Sequence, residues 1–435
     1  MKIRLSVLVL CFVFALRVQS AAKIFVHCAR VGRTRRFDFW ASDGELVLKR
    51  RDFVNTTTLS GCALLLGMDP RWLNAQSLEA SQQPFTGGKL LGQAEFLNEG
   101  PAEMDTAFGS ELDGRLYTSL NGITEGELVT SDERFYIRTR ASQVLPPADA
   151  WHITVDGLVT AKRTMKIREV QSAARPLGMH LMECAGNTRA AHFGMISVGD
   201  WAGMPVAEIL AAARPADGAT QVLVSGFDRY VTNSVTSTPG ASWIFRLEEL
   251  ANAGAFLATQ LNGAPISRDH GAPVRLVVPS WYGCACIKWV ELISLVNDSV
   301  AATAQMQEYA GRTHQNGNPR LAKDYVSPRI EHAAMPVRVE QWVVGGKIRY
   351  RIVGLLWGGR ASIRKLGIRF NPEEEYVDVD LLEVPQKRPW TMWSHTWKPA
   401  APGRYTIRLA VKDPELHPKR LESGYYARTV EISEV

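Results

Sequence analysis

The sequence predicts an α+β fold in its central region followed by a C-terminal β-sandwich, and two patterns carry that prediction. Between about residues 131 and 300, short apolar strands alternate with short helical runs, a mixture typical of an α+β domain. From about residue 337, apolar and polar residues alternate with period two in short runs separated by turns, as in a β-sandwich. With 435 residues, the chain is long enough for two or three domains.

Particular stretches of the central region predict individual elements. "RFYIRTR" at 134–140 predicts a strand, and "MHLMECAGN" at 179–187 predicts an apolar strand that runs into a Gly-Asn turn. "PVAEILAAA" at 205–213 has helical spacing and begins with a proline, which suits the first turn of a helix. "VRLVVPSWYG" at 274–283 predicts a buried strand broken by its proline. We therefore expect a central mixed α/β domain.

A polar stretch with several prolines separates this region from the C-terminal one. It covers residues 312–336, within which we predict a linker at 321–336. After it, "GGKIRYRIV" at 345–353 and "RYTIRLAV" at 404–411 show the period-two alternation. The predicted organisation is an N-terminal region at 1–75, a central domain at 76–320, the linker at 321–336 and an immunoglobulin-like β-sandwich at 337–435.

Composition and charge are those of an ordinary globular protein, with 46% hydrophobic residues, 22% charged residues and a net charge of +6. The basic residues form no long Lys/Arg block, so nucleic-acid binding is not indicated. The six cysteines are Cys11, Cys28, Cys62, Cys184, Cys284 and Cys286. Only three lie beyond the N-terminal region, too few for a disulfide framework. The chain contains no C-x-x-C-H, so we predict no covalent c-type haem.

The N-terminal region carries two segments that resemble export signals. An apolar run at 5–16 follows two basic residues, as in a secretory signal. A weaker apolar run at 53–68 follows "KRR", as in a twin-arginine signal. "LSGC" at 59–62 also resembles a lipoprotein cleavage box, which leaves the lipidation of Cys62 open.

The octapeptide "MECAGNTR" at 182–189 is the sharpest candidate site. Cys184 ends an apolar strand and enters a turn near Arg189. A nearby guanidinium favours the thiolate, the form needed for metal ligation or nucleophilic attack. The alternative is a small buried core cysteine, since free cysteine is among the most buried residue types.

A second candidate stretch, at 261–289, carries His270, Arg275 and Lys288 among glycines and prolines. Such groups can hold a phosphate or another anion, and the alternative is a surface loop with solvated charges. A zinc site from His270, Cys284 and Cys286 is a further alternative, although C-x-C is not the usual zinc spacing.

Together these stretches resemble the sulfite oxidase family of molybdenum enzymes. "CAGN-x-R" is similar to the family's molybdenum-ligand loop, and "NG-x-P-x-x-x-DHG-x-P-x-R" at 262–275 is similar to its pterin-binding segment. "F-x-x-R" at 135–138 and "SGFD" at 225–228 resemble two further family segments. The stretches at 354–370 and 392–413 resemble its C-terminal dimerisation domain. The resemblance covers about residues 130–435 and implies a molybdopterin-binding domain of the sulfite oxidase type.

The resemblance implies a role for each matching residue. Cys184 would supply the protein thiolate to molybdenum, a soft ligand that suits a redox metal. Arg138 and Arg189 would hold an oxyanion beside the metal, and Tyr309 would donate a hydrogen bond to the transferring oxygen. The alternative for Tyr309 is an aromatic residue packed ahead of the linker. The residues implied to hold the pterin and its phosphate are Tyr136, Ile137, Arg138, Thr139, Arg140, Asp228, His270, Arg275, Cys286, Ile287 and Lys288.

Two departures from the family pattern affect the substrate more than the cofactor. Arg140 stands where the family has a pterin-contacting histidine, and adds positive charge to an anion site or faces the pterin phosphate. Thr188 and Arg189 stand where the family has two arginines. The family's C-terminal domain contributes a further arginine, for which Arg420 and Arg428 are the candidates.

The implied cofactor is molybdenum with one pterin dithiolene, Mo-molybdopterin. The implied reaction is oxidation of sulfite to sulfate by oxygen-atom transfer, with electrons passed to an external cytochrome c-like or quinone-linked acceptor. The resemblance also implies a homodimer formed through the C-terminal domain. The alternatives are the same cofactor acting on another substrate, such as a sulfoxide, and a non-enzymatic exported binding protein with an immunoglobulin-like domain.

A cofactor inserted in the cytoplasm requires export in the folded state, which the twin-arginine route permits. The resemblance therefore favours the signal at about 47–75 over the run at 5–16, and it implies a periplasmic protein. We accordingly expect residues 1–46 to reflect a start assigned upstream of the true one.

Overall fold

The computed structural model describes only strand segments within residues 1–47, and it describes residues 84–435 except for 125 and 382–387. The chain divides into two compact units, Met1–Gln83 and Pro84–Val435. The predicted twin-arginine pair at 50–51 and Cys62 lie outside the described residues. Within the described part of the chain, no helix has the length and apolarity that a membrane crossing needs.

The first unit contains one five-stranded sheet. Its strands are β1 (Lys2–Leu5), β2 (Ala15–Val18), β3 (Ala21–Arg30), β4 (Arg33–Ser42) and β5 (Glu45–Val47). The strand order is β1-β3-β4-β5, with β2 also paired to β3, and only the β1–β3 pair is parallel.

The second unit is built mostly of strands. They are β6 (Lys89–Ala94), β7 (Phe96–Leu97), β8 (His152–Gly157), β9 (Arg163–Lys166), β10 (Arg175–Glu183), β11 (Ile196–Pro205), β12 (Gln221–Gly226), β13 (Ser242–Arg246), β14 (Phe256–Leu261), β15 (Ala264–Pro265), β16 (Arg275–Val277), β17 (Val290–Val296), β18 (Ala333–Val344), β19 (Lys347–Trp357), β20 (Leu366–Arg369), β21 (Val377–Asp378), β22 (Asp380–Leu381), β23 (Trp390–Trp397), β24 (Gly403–Val411) and β25 (Arg428–Ile432).

The α-helices of this unit are short. They are α1 (Ile167–Ser172), α2 (Val206–Ala213), α3 (Leu247–Asn252), α4 (Ala304–Tyr309) and α5 (Lys419–Glu422). The predicted helix at 205–213 is confirmed as α2, which buries Val206, Ile209 and Leu210. The α+β prediction gave too much weight to helices, because the described residues of this unit form mostly strands and few helices. The helical runs in the sequence extend for only one or two turns.

Two five-stranded sheets form the central part of this unit. One has the order β10-β11-β14-β15, with β16 also on β14, and the other has the order β13-β12-β17-β8-β9. Their inward side chains Val198, Val224, Leu276 and Ile293 share one hydrophobic core with Ile209 of helix α2. The predicted strand at 179–187 is confirmed as β10, and it ends at Glu183, directly before Cys184.

The C-terminal part consists of two further five-stranded sheets, with the orders β22-β23-β19-β18-β6 and β21-β20-β24-β25-β7. Both sheets contribute to a second core, with Ile352 and Trp393 from one and Ile407 and Val430 from the other. The N-terminal strands β6 and β7 complete these sheets by pairing with β18 and β25. Strand β18 begins within the predicted linker because Ala333–Met335 pair with β19. The immunoglobulin-like topology stays a prediction.

The stretch at 134–140 is not a regular strand. Phe135, Tyr136 and Ile137 are all buried, so the chain does not alternate between two faces. Ile137 forms one bridge to Leu116, and the backbone N–H of Tyr136 donates to Ser197 Oγ at 3.0 Å. This irregular path holds Arg138 beside the turn that follows β10.

Candidate active site

Two pockets meet at Arg138. We call the first the cofactor pocket; it encloses about 830 Å³, including its open mouth. Its lining includes Tyr136, Arg138, Thr139, Cys184, Asp228, Asp269, Arg275, Cys284, Cys286, Ile287, Lys288, Glu308 and Tyr309. We call the second the vestibule; its space of about 1210 Å³ likewise includes its open mouth. Its lining includes Arg115, Tyr117, Arg138, Gly186, Thr236, Arg312, His314, Arg420 and Tyr425. Most of the predicted site residues are thus brought together around one cavity.

Cys184 is the first residue after β10, and its thiol lies on the wall of the cofactor pocket. The turn is fixed by backbone hydrogen bonds from Cys184 N to the Met195 carbonyl and from Asn187 N to the Cys184 carbonyl, both 2.9 Å. Burial raises the pKa of the Cys184 thiol, while Arg138, the Gly186 N–H and Arg312 act in the opposite direction. A bound metal cation would complete the deprotonation, because a coordinating thiol loses its proton.

Arg138 lines both pockets. Its Nη2 donates to Ser237 Oγ at 2.6 Å, whereas its Nη1 is buried and has no hydrogen-bond partner among the described residues. Burial acts to lower the pKa of Arg138, but Tyr309 and Cys184 raise it, and the net direction is upward. A buried donor without a partner is costly, so this charged group is suited to an anion that enters the cavity.

Two cationic side chains on the far wall of the cofactor pocket are engaged by backbone carbonyls. Lys288 Nζ donates to the carbonyls of Thr139 and Asp269. Arg275 donates through Nη1 to the His270 carbonyl at 2.9 Å and through Nη2 to the Cys286 carbonyl at 3.3 Å. The Nε of Arg275 is buried and has no partner in the part of the chain that the structure describes.

The remaining predicted residues of this pocket are held by local contacts. Asp228 accepts from the backbone N–H groups of Gly240 and Ala241. Cys286 Sγ accepts from Val278 N at 3.4 Å. Tyr136 and Ile287 are buried and line the cavity. The wall therefore presents both donors and acceptors, which suits a polar heterocycle that carries a phosphate.

Tyr309 ends helix α4 and lines the cofactor pocket. Burial is the largest cause that raises the pKa of its hydroxyl, and Cys184 adds to it. The hydroxyl therefore stays protonated near neutral pH and remains a hydrogen-bond donor. Three residues later, the guanidinium of Arg312 lies 5.4 Å from the centre of the Tyr309 ring.

Several predicted residues lie away from the cavity walls. Ile137 is buried in the core behind its neighbours, and Arg140 pairs with Asp269 at 3.1 Å. Both ring nitrogens of His270 have protein partners: Ser267 Oγ at 2.9 Å and the Phe135 carbonyl at 2.8 Å. His270 therefore supports the pocket from behind.

The predicted oxyanion residue Arg189 is exposed and does not line either pocket. Its Nη2 donates to the Ala427 carbonyl at 2.7 Å. The candidate Arg428 is buried in an ion pair with Glu99, whereas the candidate Arg420 lines the vestibule. Of these three arginines, only Arg420 reaches the site.

Sequence reasoning missed Arg115 and Arg312. Arg115 is buried, and its Nη1 donates to the carbonyls of Leu112 and Gly114. Burial first, and then the charge of Arg138, lower its pKa to about 10. The signal for Arg312 was present, because it stands three residues after Tyr309, on the same side of a helical turn.

The residues of the cofactor pocket fit a metal held by one thiolate together with an anionic pterin. Of the three thiols on its wall, Cys184, Cys284 and Cys286, only Cys184 is acted on electrostatically by both Arg138 and Arg312. Arg138 Nη1 and Arg275 Nε are donors that lack an acceptor among the described residues. Among the described residues, no group of three or more His, Cys, Asp or Glu side chains is arranged to hold a metal ion. The zinc alternative at His270, Cys284 and Cys286 therefore has no support.

Comparisons with known proteins agree with this geometry. Residues 141–303 match the family model "Oxidoreductase molybdopterin binding domain". The mouse mitochondrial sulfite oxidase is 30% identical over 206 residues, 42% of this chain and 36% of that protein. The NADPH nitrate reductase of Fusarium oxysporum is 26% identical over 195 residues, 41% of this chain and 21% of that protein. This chain thus spans well under half of the length of either relative.

A solved structure, the sulfane dehydrogenase SoxCD of Paracoccus pantotrophus, has the same fold. Its TM-score is 0.58 at 15% identity, over 82% of this chain and 98% of that one. Together with the family model and the relatives, the pocket around Cys184 supports a molybdopterin-binding oxidoreductase domain of the sulfite oxidase type at residues 141–303.

Proposed function

We propose that this protein is a molybdenum-dependent oxidoreductase that oxidises sulfite to sulfate. One observation carries the proposal. The buried thiol of Cys184 lies on the wall of a polar cofactor pocket, and Arg138 lines both that pocket and the basic vestibule next to it. A single thiolate beside arginine donors suits a redox metal and an oxyanion together.

When bound, the molybdenum–pterin group supplies two-electron oxygen-atom transfer. Sulfite and water give sulfate, two protons and two electrons overall. Arg138 binds the oxyanion through its free Nη1, and the protonated Tyr309 donates a hydrogen bond to the oxygen of the reacting group. The positive charges of Lys288 and Arg275 bind the anionic pterin and keep it in position. Because the walls are fixed before substrate enters, little reorganisation is needed.

The electrons leave to an external acceptor, for which we propose a cytochrome c-like or quinone-linked partner. We also propose a periplasmic location, reached by the twin-arginine route, and a homodimer formed through the C-terminal sheets. The support for export is the "KRR" segment at 49–51 together with the need to fold around a cofactor first.

A sulfane-sulfur substrate is a second candidate. The structural neighbour, which supports this candidate, is described as a sulfane dehydrogenase. A sulfoxide is the third substrate to test, because it uses the same oxygen-transfer chemistry in reverse.

The test is to purify the protein from a molybdenum-sufficient host and measure molybdenum, pterin and turnover. Sulfite and a sulfane-sulfur compound are each offered with ferricyanide as acceptor, and a sulfoxide is offered with a reduced dye. We expect about one molybdenum and one pterin per chain, with sulfite the preferred substrate. Protein that is folded but free of molybdenum and pterin would contradict the cofactor. Loaded protein that acts only on another substrate would contradict sulfite.

A further inference from the structure

We infer that Arg312 is an anion-binding residue of this active site, and that it binds the substrate oxyanion together with Arg138. The inference rests on the proposed oxyanion chemistry and adds a residue to it. It starts from the loop after β10, where the predicted arginine, Arg189, is turned away from the cavity toward the Ala427 carbonyl.

The position of Arg312 follows from the space above Gly186. A Cβ added at Gly186 would lie 3.3 Å from Arg312 Nη1 and 3.8 Å from Cys184 Sγ. One methyl group would therefore touch both the thiol and the guanidinium. The absence of a side chain at this position leaves a gap between Cys184 and Arg312 that a small ligand can enter from the vestibule.

The guanidinium of Arg312 is free to bind such a ligand. Within the described part of the chain, it forms no hydrogen bond or ion pair, and its one ring contact is to Tyr309. Arg138 Nη1 also lacks a hydrogen-bond partner among the residues that the structure describes. Two arginines with available donors therefore flank the thiol, and arginine forks match the oxygens of a tetrahedral anion.

The backbone of Arg312 is fixed although its side chain is exposed. Arg420 Nη2 donates at 2.7 Å to the carbonyl of Arg312 and at 2.7 Å to the carbonyl of Ala185. Arg420 thus ties the segment that carries Arg312 to the loop that carries Cys184. Its own guanidinium is packed between the rings of Tyr282 and Tyr425. We assign Arg420 a positioning role and Arg312 the binding role.

The charge around this gap selects an anion. The vestibule lining contains Arg115, Arg138, Arg312 and Arg420, and it includes no Asp or Glu among the described residues. The nearest acidic side chain on helix α4, Glu308, lines the cofactor pocket instead. A cation would meet only repulsion here, whereas an oxyanion would gain charge-assisted hydrogen bonds.

The experiment compares Arg312→Gln, Arg312→Lys and Arg189→Gln with the wild-type holoenzyme. The readouts are KM and kcat for sulfite and the dissociation constant for inorganic sulfate, measured by calorimetry without turnover. Because Arg312 holds the anion in both the ground and transition states, Arg312→Gln should raise KM and the sulfate dissociation constant about 10–100-fold, with kcat changed less than about threefold. Arg312→Lys should fall between, and Arg189→Gln should stay within about twofold.

Equal sulfate affinity in Arg312→Gln and wild type overturns the inference, as does a wild type that binds no sulfate. If the protein does not oxidise sulfite, the proposed substrate fails, and the sulfate titration alone still decides the role of Arg312. Molybdenum content and melting temperature should be unchanged in Arg312→Gln, because its side chain is exposed. These two measurements separate loss of binding from loss of folding.

Discussion

The cofactor pocket and the vestibule both contain positive charges, but they use them differently. In the cofactor pocket, Lys288 and Arg275 donate to four backbone carbonyls, and within the described part of the chain Arg275 Nε is the one buried nitrogen of this pair without a partner. In the vestibule, Arg312 has no polar partner among the described residues, and Arg138 keeps one unpartnered nitrogen. The first arrangement builds a fixed wall for a resident group, whereas the second keeps donors available for a ligand that enters and leaves.

The acidic residues differ in the same way. Asp228, Asp269 and Glu308 line the cofactor pocket, where they balance its cations and can accept from a heterocycle. The vestibule has no acidic lining residue in the described part of the chain. Substitutions in the cofactor pocket should therefore affect cofactor retention, and substitutions in the vestibule should affect substrate affinity.

The largest expected effect is that of Cys184→Ser. Replacing the soft thiolate by a hydroxyl removes the metal's protein ligand, so we expect activity to fall at least about 1,000-fold and molybdenum retention to drop. Metal analysis and turnover measure this. Cys286→Ser is the matched control, because that buried thiol lines the same pocket and contacts Val278. Full activity and full molybdenum content in Cys184→Ser would contradict Cys184 as the metal's protein ligand.

Tyr309→Phe should cause the next largest loss of activity. It removes the donor to the transferring oxygen, an interaction strongest in the transition state. We expect kcat to fall about 10–100-fold, the size of one hydrogen bond to a charged group, with KM changed less. Steady-state kinetics with sulfite check this. A rise in KM with unchanged kcat would contradict this role and would show that Tyr309 acts in substrate binding.

Gly186→Ala tests the gap between Cys184 and Arg312. The added methyl would contact both Cys184 Sγ and Arg312 Nη1. We expect KM for sulfite to rise about tenfold while molybdenum content is kept, because the methyl occupies space needed by the anion. Gly122→Ala is the control, since a Cβ there meets nothing within 4 Å. Equal KM values in the two variants would show that the gap is not used by substrate.

His270 provides the smallest effect, on stability. Burial first, and then the charges of Lys288 and Arg275, lower its pKa to about 4 from 6.5. A depressed histidine pKa means that the folded state resists protonation. Stability is therefore intact above pH 6.5 and is lost as pH falls toward 4, by about 2 kcal/mol between pH 7 and pH 5.

The variant His270→Gln should reduce this acid sensitivity, because glutamine stays neutral. Urea midpoints at pH 7 and pH 5 measure the difference for both proteins. An identical loss on acidification in wild type and variant would place the titrating group elsewhere.

The sequence predicted the residues of the cofactor pocket better than those of the vestibule. β10 and its turn could be predicted because an apolar run ends at a Gly-Asn pair, and that places Cys184 correctly at the strand end. Asp228, Arg275 and Lys288 follow from short motifs within or beside strands β12, β16 and β17, and Arg138 follows from the motif of the irregular stretch at 134–140. These features are local, so each short stretch of sequence is enough to predict the residue that it contributes to the pocket.

The vestibule is assembled from distant segments, and no local pattern encodes it. Arg189 faces Ala427 because the C-terminal segment packs against the loop after β10. Arg420 reaches the loop at Ala185 from 235 residues away. The same long-range pairing places strands β6 and β7 in the C-terminal sheets, which the predicted boundary at residue 76 did not anticipate.

The most direct test of the central claim is X-ray absorption spectroscopy at the molybdenum edge. Cys184→Ser is compared with wild type and with Cys286→Ser. For each protein, the spectrum is recorded on the fraction that retains molybdenum. The account predicts one fewer sulfur ligand in Cys184→Ser and an unchanged first shell in Cys286→Ser. The same number of sulfur ligands in all three proteins would contradict the assignment of Cys184 as the metal's protein ligand.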